Sequence, residues 1–171
     1  MKTVLYVDDD PNDRFLVKNA KRIAAVSFDL KTAAGGGVAL RYLGGEGEFA
    51  NRTDHPLPDF ILLDLKMPEM DGFEVLRWVR ANPATTTTPV ALFSSSLIPE
   101  DVARGYLNGA NYFIIKPAKF ATLVDILQAV DEFLATSPNA SVSLSKFSAP
   151  AEPTGTAIPN SNSGSTSPSH S

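Results

Sequence analysis

Apolar residues along this chain fall into two alternating rhythms. Unbroken runs stand at 4–7 (VLYV), 60–63 (FILL), 90–93 (VALF) and 112–115 (YFII). Runs of that length and content read as strands buried on both faces. A fifth stretch alternates, with Val26, Phe28 and Leu30 along one side of a strand. Between these the spacing turns helical. Asp10 has the chemistry of an N-cap and Pro11 of a first helical residue, followed by Leu16, Ala20 and Ile23 at helical spacing. A second helix spans 38–43 and stops at Gly44-Gly45. A third carries Phe73, Val75, Leu76, Val79 and Arg80 and ends at Asn82-Pro83. A fourth covers 99–107 and stops near Gly109, and a last one presents Phe120, Leu123, Leu127, Val130 and Leu134 on one face.

Strand and helix therefore alternate through five repeats. That order predicts an α/β protein: a doubly wound, five-stranded parallel sheet with helices on both faces, (βα)5 in plan. Right-handed crossovers follow. In such sheets ligands bind beyond the carboxyl ends of the strands, near the point where strand order reverses. Asp8 and Asp9 follow the first strand, Asp64 the third, Ser94 the fourth and Lys116 the fifth. The topology would bring these side chains into one crevice.

Composition changes after the fifth repeat. From 136 to 171 the chain is dominated by Ser, Thr, Pro, Asn and Ala, and only Lys146 and Glu152 carry charge. Such a segment buries too little apolar surface to offset its conformational entropy. The expected organisation is a domain over 1–135 and a disordered tail over 136–171, with Val142, Leu144 and Phe147 undocked. Over the whole chain, 43% of residues are hydrophobic and 20% charged, as in a soluble globular protein, and the formal net charge is −4. That balance argues against a nucleic-acid partner. The absence of cysteine excludes disulfides, zinc–thiolate sites and thiol catalysis. No apolar run reaches the ~20 residues of a membrane helix, and the start lacks the form of a signal peptide. The expected location is the cytoplasm, away from membranes.

Asp8, Asp9 and Asp10 are consecutive. Two carboxylates ~4 Å apart repel by ~4 kcal/mol at an effective dielectric of 20. Carboxylates gathered in one crevice suit a hard cation with oxygen ligands, Mg²⁺ above all. A carboxylate so screened can attack a phosphoryl group, where positioning and charge neutralisation dominate. Lys116 would add a mobile positive charge, and Ser94 a hydroxyl for a phosphoryl oxygen.

"VLYVDDDP", "ILLDLKMPEMDG", "PVALFSSS" and "GANYFIIKP", in this order and spacing, resemble the signature segments of response-regulator receiver domains of two-component signalling, which have the flavodoxin-like fold. The resemblance covers residues 1 to about 135. It implies that Asp64 is the phosphoacceptor, that Asp9 ligates Mg²⁺ directly and Asp8 largely through water, and that the Lys66 carbonyl is a further ligand. Ser94 matches the switch hydroxyl, Phe113 the switch aromatic (frequently Tyr), and Lys116 the active-site lysine, whose bond to Pro117 is expected cis. Lys66 and Ser96 occupy the positions that tune acyl-phosphate lifetime, with the Lys66 side chain expected to lean over the phosphoryl group. The long connection "GGEGEFANRTDHPLPD", "FLVKNA" and the lack of an output domain are similar to stand-alone regulators associated with phytochromes. A sensor histidine kinase, of phytochrome type in that subgroup, is the implied phosphodonor. A homodimer and an unknown downstream protein are the implied partners, acting through the face of the fourth helix, fifth strand and fifth helix. The implied chemistry is limited to gaining and losing the protein's own phosphoryl group.

Plainer readings fit other residues. Asp10 is a cap, Pro68 and Gly72 are turn residues, and Gly35, Gly36 and Gly37 lack the trailing Lys-Ser/Thr of a P-loop. His55 and His170 have no metal partner at ligand spacing. The rival functions are a phosphorylation-independent interaction module of the same fold, and a hydrolase with an aspartyl-phosphate intermediate. The latter would want Asp-x-Asp where this chain has "DLK".

Overall fold

The structure is a computed structural model, and it describes residues 1–135 and 140–151. Five strands, β1 (Thr3–Val7), β2 (Asp29–Ala33), β3 (Phe60–Leu63), β4 (Val90–Ser94) and β5 (Tyr112–Ile115), alternate with helices α1 (Pro11–Ala24), α2 (Gly36–Gly44), α3 (Gly72–Ala81), α4 (Pro99–Leu107) and α5 (Phe120–Leu134). A sixth helix, α6 (Ala140–Ser145), follows. The sheet is wholly parallel, in the order β2-β1-β3-β4-β5. The expected doubly wound (βα)5 architecture is present.

Successive strand residues point to opposite faces, and the core divides accordingly. Val4, Tyr6, Phe60, Leu62, Ala91, Phe93 and Ile114 pack with α1 and α5. Leu5, Val7, Ile61, Leu63, Val90, Leu92 and Phe113 pack with α2 and α3. Both sets are nearly or fully excluded from solvent, which explains why β1, β3, β4 and β5 read as unbroken apolar runs.

The expected second strand was displaced by three residues. Val26 and Phe28 precede β2 and pack into the core from a loop, while DLKTA forms the strand. As an edge strand, β2 is only half buried over most of its length, so its polar sequence carried no strand signal. On α1 the buried face is Val17, Ala20 and Ala24; Leu16 and Ile23 face outward, with Phe15. Two alanines bring α1 close to its neighbours, a face that apolar size alone did not reveal.

The connection from α2 to β3 is packed rather than loose. Phe49, in a short 3-10 turn, meets Tyr42 at a tilt, and both rings meet His55 edge-on. Arg52 donates to the Tyr42 and Leu43 carbonyls at 2.7 Å each, satisfying the end of α2. His55, expected in a surface loop, packs against the Tyr42 and Phe49 rings.

The tail departs from expectation over 140–151. Here α6 forms, Leu144 is fully buried against the α1–α5 side, and Phe147 packs beside it. A few well-placed apolar residues anchor a segment whose composition reads as disordered. Residues 136–139 and 152–171, with His170, lie outside the described residues, and the side chain of Val142 is not described. Among the described residues no peptide bond is cis, so Lys116–Pro117 is trans, the isomer X–Pro bonds favour by about 0.5–1 kcal/mol. No helix among them is long and apolar enough to cross a membrane.

Gly72 fixes the exit of the chain from β3. Its N–H donates to the Leu65 carbonyl at 3.0 Å, and a Cβ there would lie 2.4 Å from the Asp64 carbonyl oxygen. Asp71 and Glu74 form a capping box that starts α3 at this contact. Gly72→Ala is expected to lower unfolding free energy by about 1–3 kcal/mol, the usual cost of forced overpacking. Urea denaturation checks it, and an unchanged midpoint would contradict it.

Candidate functional site

The carboxyl ends of β1, β3, β4 and β5 converge where strand order reverses, as the topology requires. Carboxylate oxygens of Asp8, Asp9 and Asp64 all lie within 4.8 Å of one another. Asp8 and Asp64 are buried and Asp9 is half-buried. The β1–β3 pairing produces this contact, because Val7 pairs with Leu63 and the Asp64 N–H donates to the Val7 carbonyl at 2.9 Å.

Asp8 is the most tightly held. Its carboxylate accepts from the Tyr6 hydroxyl, from the Asp10 N–H at 2.9 Å and from the Lys116 ammonium at 2.7 Å. Lys116 reaches Asp13 equally closely, at 2.7 Å, and stands 3.6 Å from Asp64. Burial pulls the lysine toward neutrality, but its bonds to Asp13 and Asp8 and the charge on Asp64 outweigh that and hold it above its ordinary range. Burial pushes the Asp64 carboxyl up to about 6; Lys116 opposes the shift, Asp8 adds to it, and the N–H groups of Leu65 and Lys66 oppose it. Burial, then the bond to Asp8, holds the Tyr6 phenol well above its usual value.

Asp10 is the α1 cap, accepting from the Asn12 N–H at 2.8 Å, and is not part of the carboxylate cluster. Ser94 is fully buried at the end of β4, and its Oγ accepts from the Ser96 N–H at 3.2 Å. Phe113 is fully buried in β5, opposite Leu92. Lys66 departs from its expected pose. Its ammonium pairs with Asp101 on α4 at 3.0 Å, and the same Asp101 oxygen accepts from the Ser96 hydroxyl. Burial raises the Asp101 carboxyl, but the bonds from Ser96 and Lys66 prevail and hold it below the usual range.

Sequence reasoning missed Tyr6, Asp13 and Asp101. Tyr6 was counted as strand core, although a phenol two residues before a carboxylate shares its face of the strand. Asp13 stands in the first turn of α1 and Asp101 in the first turn of α4, where acidic residues suit the helix dipole. That local explanation masked their long-range partners.

The donor set suits a hard divalent cation: three carboxylates crowd together with one shared ammonium, and every available ligand is oxygen. Asp8, Asp9 and Asp64 are the side chains whose oxygens meet there.

Comparison with known proteins identifies the family. Residues 4–128 match the family described as response regulator receiver domain. The chain is 30% identical to the response regulator Rcp1 of Synechocystis sp. over 132 residues, which is 77% of this chain and 88% of that protein. The structure of a response regulator in red light signaling of R. palustris superposes with a TM-score of 0.72 at 32% identity, covering 78% of this chain and 93% of the other. The phosphorylated cyanobacterial phytochrome response regulator RcpA superposes at 0.71 with 33% identity, covering 79% and 94%. The Mn²⁺-bound form of Rcp1 superposes at 0.69 with 28% identity, covering 80% and 96%. The chain belongs to the response-regulator receiver family, and its relatives include phytochrome-associated regulators.

Proposed function

We propose that this protein accepts a phosphoryl group on Asp64 from a sensor histidine kinase, with Mg²⁺ bound, and signals by changing its partner-binding face. The observation that carries this reading is the convergence of Asp8, Asp9 and Asp64 with Lys116 at one crevice. An Asp64 carboxylate oxygen forms a bond to phosphorus as the bond from phosphorus to the kinase imidazole nitrogen breaks, and the electron pair returns to the ring. When bound by Asp8, Asp9, Asp64 and the Lys66 carbonyl, Mg²⁺ supplies charge screening between the carboxylate and the incoming phosphoryl oxygens.

The chain's own groups do the rest. Lys116, 3.6 Å from Asp64, swings from Asp13 toward the new phosphoryl charge. Ser94 already accepts a bond on its Oγ and turns its own hydrogen to a phosphoryl oxygen. Its inward movement disturbs Ile115, its partner across the β4–β5 ladder, and through that strand Phe113, two residues before. The population of the α4–β5–α5 face shifts accordingly. The phosphorylated RcpA structure and the Mn²⁺-bound Rcp1 structure support the two halves of this reading by likeness. A phytochrome-type kinase is the donor most in keeping with these relatives, the cytoplasm the compartment, and a homodimer through the same face the implied assembly. The protein turns over no external substrate.

Incubation with Mg²⁺ and acetyl phosphate is expected to add about 80 Da to the chain, one phosphoryl group. Intact-mass spectrometry checks it, with the adduct absent from Asp64→Asn; an adduct that persists in that variant, or none in the natural chain, contradicts the reading. Asp101→Asn should release Lys66 to the phosphoryl group and lengthen acyl-phosphate lifetime. About 1.5- to 5-fold is expected, the range an exposed ion pair of 0.2–1 kcal/mol allows. Dephosphorylation kinetics check this, and the effect should vanish when Lys66→Ala is added. A lifetime unchanged in Asp101→Asn assigns Lys66 no part.

A further inference from the structure

β5 is the outer strand of the sheet, so one of its edges has no strand partner. An open edge presents unpaired N–H and C=O groups that invite pairing with another chain. Here residues 144–151 lie across that edge. Leu144 is fully buried on the α1–α5 side of the sheet, while Ala149 packs on the α2–α3 side, so the segment straddles β5. Ser148 bridges antiparallel to Ile114.

The polar contacts form a closed circuit. The Phe113 N–H donates to Ser148 Oγ at 2.9 Å, and the Ala149 N–H donates to the Phe113 carbonyl at 2.7 Å. Tyr106 on α4 stands 2.8 Å from Ser148 Oγ, and its hydroxyl donates to the Ala149 carbonyl. Each hydroxyl has one proton to give. Tyr106 spends its proton on Ala149, so the Ser148 proton goes to Tyr106, its nearest acceptor; the other oxygens within reach are farther, at 3.4 and 3.5 Å. Every donor in the circuit has one acceptor. The circuit therefore ties together α4, through Tyr106, and β5, through both backbone groups of Phe113.

We propose that residues 144–151 are an internal clamp that occupies the β5 edge in the resting chain and withholds the α4–β5–α5 face from partners until Phe113 and α4 move. The inference rests on the proposed phosphorylation of Asp64 and adds the element that closes the face. Hydrogen bonds are lost when donor and acceptor separate much beyond 3.2 Å. A displacement of α4 relative to β5 by about an ångström breaks the circuit, because Tyr106 and Phe113 sit on the two moving parts. Beside the clamp, Leu97, Pro99, Val102 and Ile115 line an apolar hollow of about 280 Å³ with Ala149, Pro150 and Ala151. Departure of the clamp would enlarge that apolar surface.

Amide hydrogen exchange by NMR on the full chain tests the clamp. The Phe113 amide should be protected in the resting protein and exchange faster by about tenfold or more in Ala149→Pro, which removes one donor of the circuit, and in Tyr106→Phe. Unchanged Phe113 exchange in both variants overturns the clamp. Protection that fades on dilution means a second copy supplies the segment, and overturns it equally. Addition of beryllofluoride with Mg²⁺, an acyl-phosphate mimic, should raise exchange at Phe113 and Ala149 together. If the mimic binds, seen by shifted signals around Asp64, and both amides stay protected, release is overturned while phosphorylation stands. If the mimic does not bind, the phosphorylation reading falls and release falls with it, while the two variants still decide whether the edge is closed.

Discussion

Everything at the carboxyl edge of this sheet depends on managing negative charge. The parallel pairing of β1 with β3 forces Asp8 and Asp64 together at the ends of adjacent strands, and Asp9 joins them. Like charges at such spacing repel by several kcal/mol at protein-like dielectric. Lys116 offsets part of that, yet its closest contacts are with Asp8 and Asp13 rather than with Asp64. The residual charge is left on Asp9 and Asp64, which is where a divalent ion contributes most. A carboxylate poised between screening and repulsion responds to small changes nearby.

That response has a physical route. Ser94, Ile115 and Lys116 share the β4–β5 ladder, with the Lys116 N–H donating to the Ser94 carbonyl. Lys66 and Ser96 meet at Asp101, linking the loops after β3 and β4 to the first turn of α4. α4 itself is lightly anchored. Gly105 is its only buried residue, and Leu97, Ile98 and Leu107 near its ends are exposed. The helix rests on the core through Gly105, Val102 and Tyr106, with polar contacts at its first turn and the C-terminal segment along Tyr106.

Much of this was legible in the sequence because buried parallel strands have a strong signature. FILL and VALF can hardly be anything but central strands, and once their order is set the active edge follows from topology. What the sequence hid has a common physical cause: edge elements and long-range polar contacts leave weak local signals. DLKTA is an edge strand half open to water, so its composition is polar. Ala20 and Ala24 serve packing by being small, which a search for large apolar residues overlooks. The docked segment after α5 depends on Leu144, Phe147 and a serine, too few to raise its average hydrophobicity. The Lys66 pose could not be read because its partner lies on a different element, 35 positions away.

The central claim is that the crowded carboxylates are a charge-strained site completed by a divalent cation, and thermal unfolding of the natural chain and of Asp9→Asn, each with and without Mg²⁺, tests it most directly. Asp9 suits the purpose because it belongs to the cluster yet is only half-buried. Without metal, Asp9→Asn should melt above the natural chain, because one repulsive charge is gone. Added Mg²⁺ should raise the melting temperature of the natural chain, as any ligand selective for the folded state does, and raise that of Asp9→Asn much less. A natural chain indifferent to Mg²⁺, or an Asp9→Asn variant that melts lower in its absence, would contradict the account.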